Sequence, residues 1–346
     1  MQIRLHAFDL PLRHTFTISR ESITSQQTLI VELSHDGVSG YGEATSNKYY
    51  GFTIQRMARD LTALKPQLEA TTLDDPAALW SQCQPALASD PFAQCALDQA
   101  AHDLWGKLRG QPVWKLWGLK TDKIPSSNYT IGIDSIDVMV AKMNEFPGWP
   151  IYKIKLGTDR DLEIIRGLRK HTQATFRVDA NCGWTADQAI AYASELKKLG
   201  VEFIEQPLKA DQWEDLRRVG QESALPIIAD ESCIVESDVA RCAGVFQGIN
   251  IKLVKCGGLT PARRMIAEAR RLGLKVMVGC MTESTVGVSA IAQLLPLLDY
   301  VDMDGAVLLA EDIASGVRLD RGRCIYPDTP GNGIRLLRTG RDPLAS

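Results

Sequence analysis

The run IYKIKLGTDRDLEIIRGLRKHTQATFRVDA, residues 151–180, decides the fold. It begins and ends in short apolar strands, IYKIKL (151–156) and TFRVDA (175–180), with a helical pattern over 159–171 between them. A strand, a crossover helix and a second strand make the unit from which parallel sheets are built. Alternation along the first strand sets Tyr152, Ile154 and Leu156 on one face and Lys153 and Lys155 on the other. With helices covering the outside, both lysines point inward. An inward ammonium must be paired, or it is desolvated at a cost of several kcal/mol (~).

Working outward, the unit repeats. The strands read SNYTIGI (127–133), IYKIKL, TFRVDA, EFIEQ (202–206), PIIAD (226–230), INIKLV (249–254), KVMVG (275–279) and YVDMDG (300–305). Helical patterns fall between them at 135–146, 159–171, 186–199, 211–220, 236–243, 260–272 and 284–296. Eight strands with intervening helices favour a closed parallel (β/α)₈ barrel of the TIM type over an open doubly wound sheet. No Gly-rich phosphate loop follows the first strand of a unit, which argues against a dinucleotide fold. Upstream the rhythm differs. Residues 2–10 and 26–34 read as strands, a turn follows at Asp36-Gly37, and helical patterns cover 53–68, 76–87 and 91–108. The expected organisation is an α+β capping domain over 1–122 and an α/β barrel over 123–317. The segment 318–346 returns to complete the cap as a short strand and extended chain.

Hydrophobic residues make up 45% and charged residues 23% of the 346, enough for a large core without disulfide or metal staples. A formal net charge of −3 with no dominant basic patch speaks against a nucleic-acid or membrane partner. No apolar run is long enough for a transmembrane helix, and the N-terminus lacks a signal-peptide apolar region. The eight cysteines show no CxxC spacing and read as reduced core residues, which implies a cytoplasmic protein.

The chemistry is expected at the C-terminal ends of the barrel strands. Those ends carry Lys153 and Lys155, Asp179, Glu205, Asp230, Lys252, and the pair Asp302 and Asp304. Asp179, Glu205 and Asp230 end three consecutive strands and make a hard, all-oxygen set suited to Mg²⁺. Lys155 and Lys252 belong to strands four apart in a ring of eight, so they flank that set from opposite sides. The arrangement suits moving a proton from one face of a carbon to the other. Mg²⁺ on a neighbouring carboxylate would stabilise the enediolate. A lysine beside other cations is expected to have a lowered pKa, as a base near neutral pH requires.

The motifs Lys153-Ile154-Lys155, Asp179-Ala180-Asn181, Glu205-Gln206-Pro207, Ala229-Asp230-Glu231-Ser232, and Asn250-Ile251-Lys252 leading to Lys255-Cys256-Gly257-Gly258 closely resemble the enolase superfamily in its muconate-lactonising subgroup. The resemblance covers almost the whole chain. It implies that Asp179, Glu205 and Asp230 are metal ligands and that Lys155 and Lys252 are the acid/base pair, with Lys255 as competitor for the second role. Lys153 is expected to touch the substrate carboxylate. Asp302-Met303-Asp304 resembles the Asp-x-Asp motif with which dipeptide epimerases hold the substrate ammonium, opposite the metal. Two aspartates there would repel a substrate lacking an ammonium group. The resemblance therefore implies an isomerase, a dipeptide epimerase of the L-Ala-D/L-Glu kind linked to peptidoglycan peptide metabolism. N-acyl amino acid racemases, cycloisomerases and o-succinylbenzoate synthases of the same subgroup stay open as alternatives. Arg20 is expected to meet the glutamate side chain, with Glu21 beside it able to exchange roles. Tyr49, Tyr50 and Gly51 are placed in the neighbouring loop, and Glu283 near the mouth as a further substrate contact. The expected partner is a small dipeptide, and a homo-oligomer is left open.

Overall fold

A computed structural model describes residues 1–345. The chain begins with an antiparallel sheet of β1 (Gln2–Ile18), β2 (Glu21–His35) and β3 (Val38–Thr45), in that order. The first two strands run longer than the apolar alternation suggests. Their pairing slips between Pro11 and Phe16, where proline cannot donate to the ladder, and resumes as far as Ile18 opposite Glu21. The result is an arm whose tip is Ser19-Arg20. The helix Pro91–Leu108 lies across the sheet. Gly40 and Gly42 permit the approach: a Cβ on Gly42 would sit 2.0 Å from the Ala96 carbonyl oxygen. The helix expected over 53–68 is two, Ile54–Ala63 and Lys65–Glu69, because Pro66 cannot continue the first. Pro76–Leu87 and Pro91–Leu108 start on aspartate caps, Asp75 and Asp90, each followed by proline at the first helical position.

Eight parallel strands follow: β4 (Tyr129–Ile131), β5 (Ile151–Lys155), β6 (Thr175–Asp179), β7 (Val201–Glu205), β8 (Ile227–Ala229), β9 (Gly248–Ile251), β10 (Lys275–Gly279) and β11 (Tyr300–Asp302). They are hydrogen-bonded in chain order, and a parallel bridge from Ser127 to Val301 brings the first edge to the last. This is the nearly closed TIM-like barrel that the repeat predicts. Helices at 136–145, 161–169, 186–198, 213–222, 236–242 and 259–271 fall within a few residues of expectation. The last is shorter than its pattern, Thr285–Ala292, with a 3-10 turn at Leu295–Leu297.

Inside the barrel, Phe203, Ile228 and Met277 pack with Tyr300. The Arg177 guanidinium lies over the rings of Phe203 and Tyr300 and pairs with Glu202 at 2.8 Å. That plug leaves the next inward positions, toward the strand C-termini, for polar groups. The N-terminal sheet and its helices are fixed over that end by two buried carboxylates. Asp98 accepts from Thr260 N–H (2.8 Å) and its hydroxyl (2.7 Å) at the start of helix 259–271. Glu43 accepts from Ser284 N–H (3.0 Å) and Gly287 N–H (2.9 Å) at the start of helix 285–292. After β11 the chain turns back, with bridges from Leu309 to Leu12, Gly331 to Pro112 and Arg341 to Ala7. Among the described residues, no helix is long and apolar enough to cross a membrane.

Candidate active site

Strand register brings the charged ends together. Lys155 pairs with Asp179 across β5 and β6, and Asp179 with Glu205 across β6 and β7. Asp230 follows β8 directly. Oxygens of Asp179, Glu205 and Asp230 all lie within 4.8 Å of one another, and all three residues are buried. Lysines surround them. Lys155 Nζ stands 2.7 Å from Asp179 and Lys252 Nζ 2.9 Å from Asp230, at the two ends of the row. Lys153 Nζ sits 2.7 Å from Asp302, 2.8 Å from Glu205 and 3.2 Å from Asp179. Lys255 lies beneath the row, 2.6 Å from Asp230 and donating to the carbonyls of Cys233 (2.9 Å) and Asn250 (3.3 Å). Lys252 lines the cavity above the row, and Lys255 does not.

Electrostatics set these groups apart. Burial raises a carboxyl pKa, but the charges of Lys155 and Lys153 outweigh it at Asp179, and those of Lys252 and Lys255 at Asp230. Both aspartates are held below the usual carboxylate range. Glu205 goes the other way: burial, then the charge of Asp179, pushes it up to about 7. Its Oε1 accepts from Asn250 at 2.9 Å, while its buried Oε2 makes no aligned hydrogen bond, although Lys153 is close. Three converging carboxylate oxygens with one left unsatisfied fit a hard divalent cation, and the residues therefore suit Mg²⁺. For Lys252 burial lowers the pKa, yet Asp230 prevails and holds it above the ordinary lysine value. The lowered value expected of a lysine near other cations is thus not met at Lys252, where the Asp230 carboxylate 2.9 Å away outweighs the charge of Lys153.

Asp302 and Asp304 line the far wall. Both are already hydrogen-bonded. Asp302 accepts from Lys153 (2.7 Å) and Asn128 Nδ2 (2.8 Å), and Asp304 from Thr130 N–H (2.6 Å) and Oγ1 (3.1 Å). Lys153 thus links the metal-type carboxylates to the Asp-x-Asp pair across the barrel. Burial raises Asp302 but Lys153 pulls it below the usual range; at Asp304 burial and the charge of Asp302 act together and raise it well above. Two carboxyl groups side by side, one held low and one held high, form a hydrogen-bonding wall suited to an ammonium group.

The roof comes from the N-terminal sheet: Phe16, Ile18, Arg20 and Glu21 from the arm, with Tyr49 and Tyr50 from the loop after β3. Arg20 does not hang free over the cavity. Its Nη2 lies 2.7 Å from Glu231 Oε1, its Nη1 donates to the Asn181 carbonyl (3.2 Å), and its guanidinium stacks 4.3 Å from the Tyr49 ring. Burial lowers the Arg20 pKa, but Glu231 overcomes that and holds it above the usual value. Glu283 is set apart from this cavity. Its carboxyl is buried, accepts from Met281 N–H at 3.2 Å, and is raised well above the usual glutamate value by burial and by Glu43. Sequence reasoning did not single out Asn128, Thr130 or Asn250 as holders of acidic groups. For Asn250 the signal was present, since it shares strand parity with Lys252.

Comparison with known proteins follows the same lines. Residues 2–118 match the model of the mandelate racemase / muconate lactonizing enzyme N-terminal domain, and residues 138–339 the enolase C-terminal domain-like model. The L-Ala-D/L-amino acid epimerase of Flavobacterium johnsoniae is 58% identical over 97% of this chain and 100% of its own. The substrate-liganded L-Ala-D/L-Glu epimerase of Bacillus subtilis superposes with a TM-score of 0.92 at 28% identity, covering 96% of this chain and 98% of that one. The dipeptide epimerase of Cytophaga hutchinsonii, complexed with Mg and D-Ala-L-Val, gives a TM-score of 0.91 at 28% identity, covering 98% and 96%.

Proposed function

The chain belongs to the mandelate racemase / muconate lactonizing enzyme family of the enolase superfamily, and from that premise we propose that it is a Mg²⁺-dependent dipeptide epimerase. It inverts the α-carbon of the C-terminal residue of a dipeptide, with L-Ala-D/L-Glu among its substrates. Residues 1–122 with 318–346 act as the cap, and 123–317 as the barrel. The eight unpaired cysteines suit a cytoplasmic setting.

Asp179, Glu205 and Asp230 would hold Mg²⁺, which when bound draws off the negative charge that deprotonation places on the substrate carboxylate. The chain's own residues do the rest. Lys153 reaches from Glu205 to Asp302 and can donate to the same carboxylate. Asp302 and Asp304 take the ammonium end, so a dipeptide spans the mouth with its second α-carbon between Lys155 and Lys252. One lysine, in its neutral form, takes the α-proton from one face. The other, as ammonium, returns a proton to the opposite face. Both lysines end in the protonation states that serve the reverse reaction. The roof excludes water, which strengthens each of these charge contacts.

The observation that carries this reading is the position of Lys155 and Lys252 at the two ends of one carboxylate row, 2.7 Å from Asp179 and 2.9 Å from Asp230. A direct test incubates pools of L-Xaa-L-Yaa dipeptides, L-Ala-L-Glu included, with protein and Mg²⁺ in D₂O. Mass spectrometry should show one deuterium gained at an α-carbon, and EDTA should abolish the gain. No exchange in any pool would refute the proposal.

A further inference from the structure

We propose that Glu231 sets the charge preference of the subsite for the second side chain: by neutralising Arg20, it lets the enzyme take a neutral C-terminal residue as readily as an acidic one. The inference rests on the dipeptide reading above. If the substrate carboxylate lies at Asp179, Glu205 and Asp230, the side chain on the adjacent α-carbon leaves toward the roof. The roof residue tied closest to that end is Arg20. Its guanidinium is anchored to the Asn181 carbonyl, two positions after Asp179, and to Glu231, one position after Asp230.

Read alone, a guanidinium on that wall is a receptor for an acidic side chain. The surroundings change its character. Glu231 is 2% exposed and its Oε1 is 2.7 Å from Arg20 Nη2, while its Oε2 is buried with no hydrogen-bond partner. Among the described residues Arg20 is the one cation within ion-pairing distance of Glu231, so the arginine's charge is already matched. Glu21 adds a second carboxylate to the same wall. An incoming glutamate would have to share Arg20 with a buried carboxylate only a hydrogen bond away, and like charges at that distance repel. A glutamine, valine or methionine side chain meets a neutral, stacked surface of Arg20 and Tyr49 beside Phe16 and Ile18.

The pairing is built in rather than incidental. Ser19, next to Arg20, donates to the same Asn181 carbonyl at 3.1 Å. Asn181 and Cys182 both hold positive φ, 44° and 66°, turning the rim loop toward the arm. Gly157 leaves space for the tip, since a Cβ there would lie 2.8 Å from Ser19 Cβ. The rim thus fixes Arg20 at one place, between the Asn181 carbonyl and the carboxylate of Glu231.

The test compares L-Ala-L-Glu with L-Ala-L-Gln, which differ in charge and hardly in shape, by the ratio of their kcat/KM values in the Mg²⁺-loaded enzyme. The native ratio should not exceed about threefold in favour of glutamate. E231Q should raise it by about tenfold or more, chiefly through a lower KM for L-Ala-L-Glu, because Arg20 is then free to pair with the substrate. R20Q should move it the opposite way by a similar factor, leaving Glu231 unpaired. The double variant should return near the native ratio. A native preference for glutamate above about tenfold would overturn the proposal. So would an unchanged ratio in E231Q, or in R20Q should E231Q not fold. Failure of the native enzyme to exchange either dipeptide, or any other, would instead strike the epimerase reading.

Discussion

Lys252 and Lys255 both contact Asp230, and their surroundings divide the work between them. Lys252 is extended at the end of β9 (φ −115°, ψ 126°), so strand parity still holds there and its side chain enters the cavity. Lys255 sits in the short helix that follows, fully buried, with its donors spent on Asp230 and backbone carbonyls. We expect Lys155→Ala and Lys252→Ala to cost about 10²–10⁴-fold in kcat with the fold intact, as for loss of a general base. Lys255→Met should instead lower stability by about 1–3 kcal/mol, because Asp230 keeps Lys252 but loses a buried hydrogen-bonded partner, seen as a shifted denaturant midpoint. Parity therefore made Lys153, Lys155 and Lys252 legible, and the strand ends marked the acids. The Arg20–Glu231 pair was not legible, because no local pattern links a hairpin tip to a rim residue far along the chain. The burial of Glu283 was hidden for the same reason: its neighbour Glu43 lies on another element. Glu283 also carries a pH prediction. Its folded pKa is raised well above the usual 4.5, so its contribution to stability is full below that value and is lost as pH rises through the folded pKa. The native protein should lose stability as pH rises from about 4.5 toward the raised folded value, and Glu283→Gln should remove part of that loss. Thermal melts across that range check it.

At the scale of elements, the barrel strands and their helices were readable because each strand is buried on both faces and each helix on one. The exceptions have local causes. Pro66 divides one helical pattern in two. The arm formed by β1 and β2 is largely solvated between Pro11 and Ser25, so no buried face marked its length. Contacts between elements are the least visible, and Asp98 is an example. It faces outward from one helix only to cap another, with its partner Thr260 on the barrel side. Asp98→Ala would leave the Thr260 N–H unmet and should cost about 1–3 kcal/mol. The loss should appear in urea unfolding with the m-value unchanged.

The whole molecule is a polar barrel mouth with a roof laid across it, and neither part is complete alone. Six carboxylates and four lysines meet there: Asp179, Glu205, Asp230, Glu231, Asp302 and Asp304 with Lys153, Lys155, Lys252 and Lys255. Such a density of buried charge is an expensive design for stability, and it is understandable only as a site for a cation and a substrate with two unlike ends. Mg²⁺ should therefore raise the melting temperature, since it binds the folded form alone. Asp179→Asn or Glu205→Gln should abolish that rise. The central claim is that two lysines serve opposite faces of one α-carbon. The measurement that tests it most directly is α-proton exchange in D₂O, starting separately from each epimer of a turned-over dipeptide, with Lys155→Ala and Lys252→Ala. Each variant should exchange the proton of one epimer only, and the two variants should choose opposite epimers. If either variant exchanges both epimers at the native rate, the two-base account is wrong.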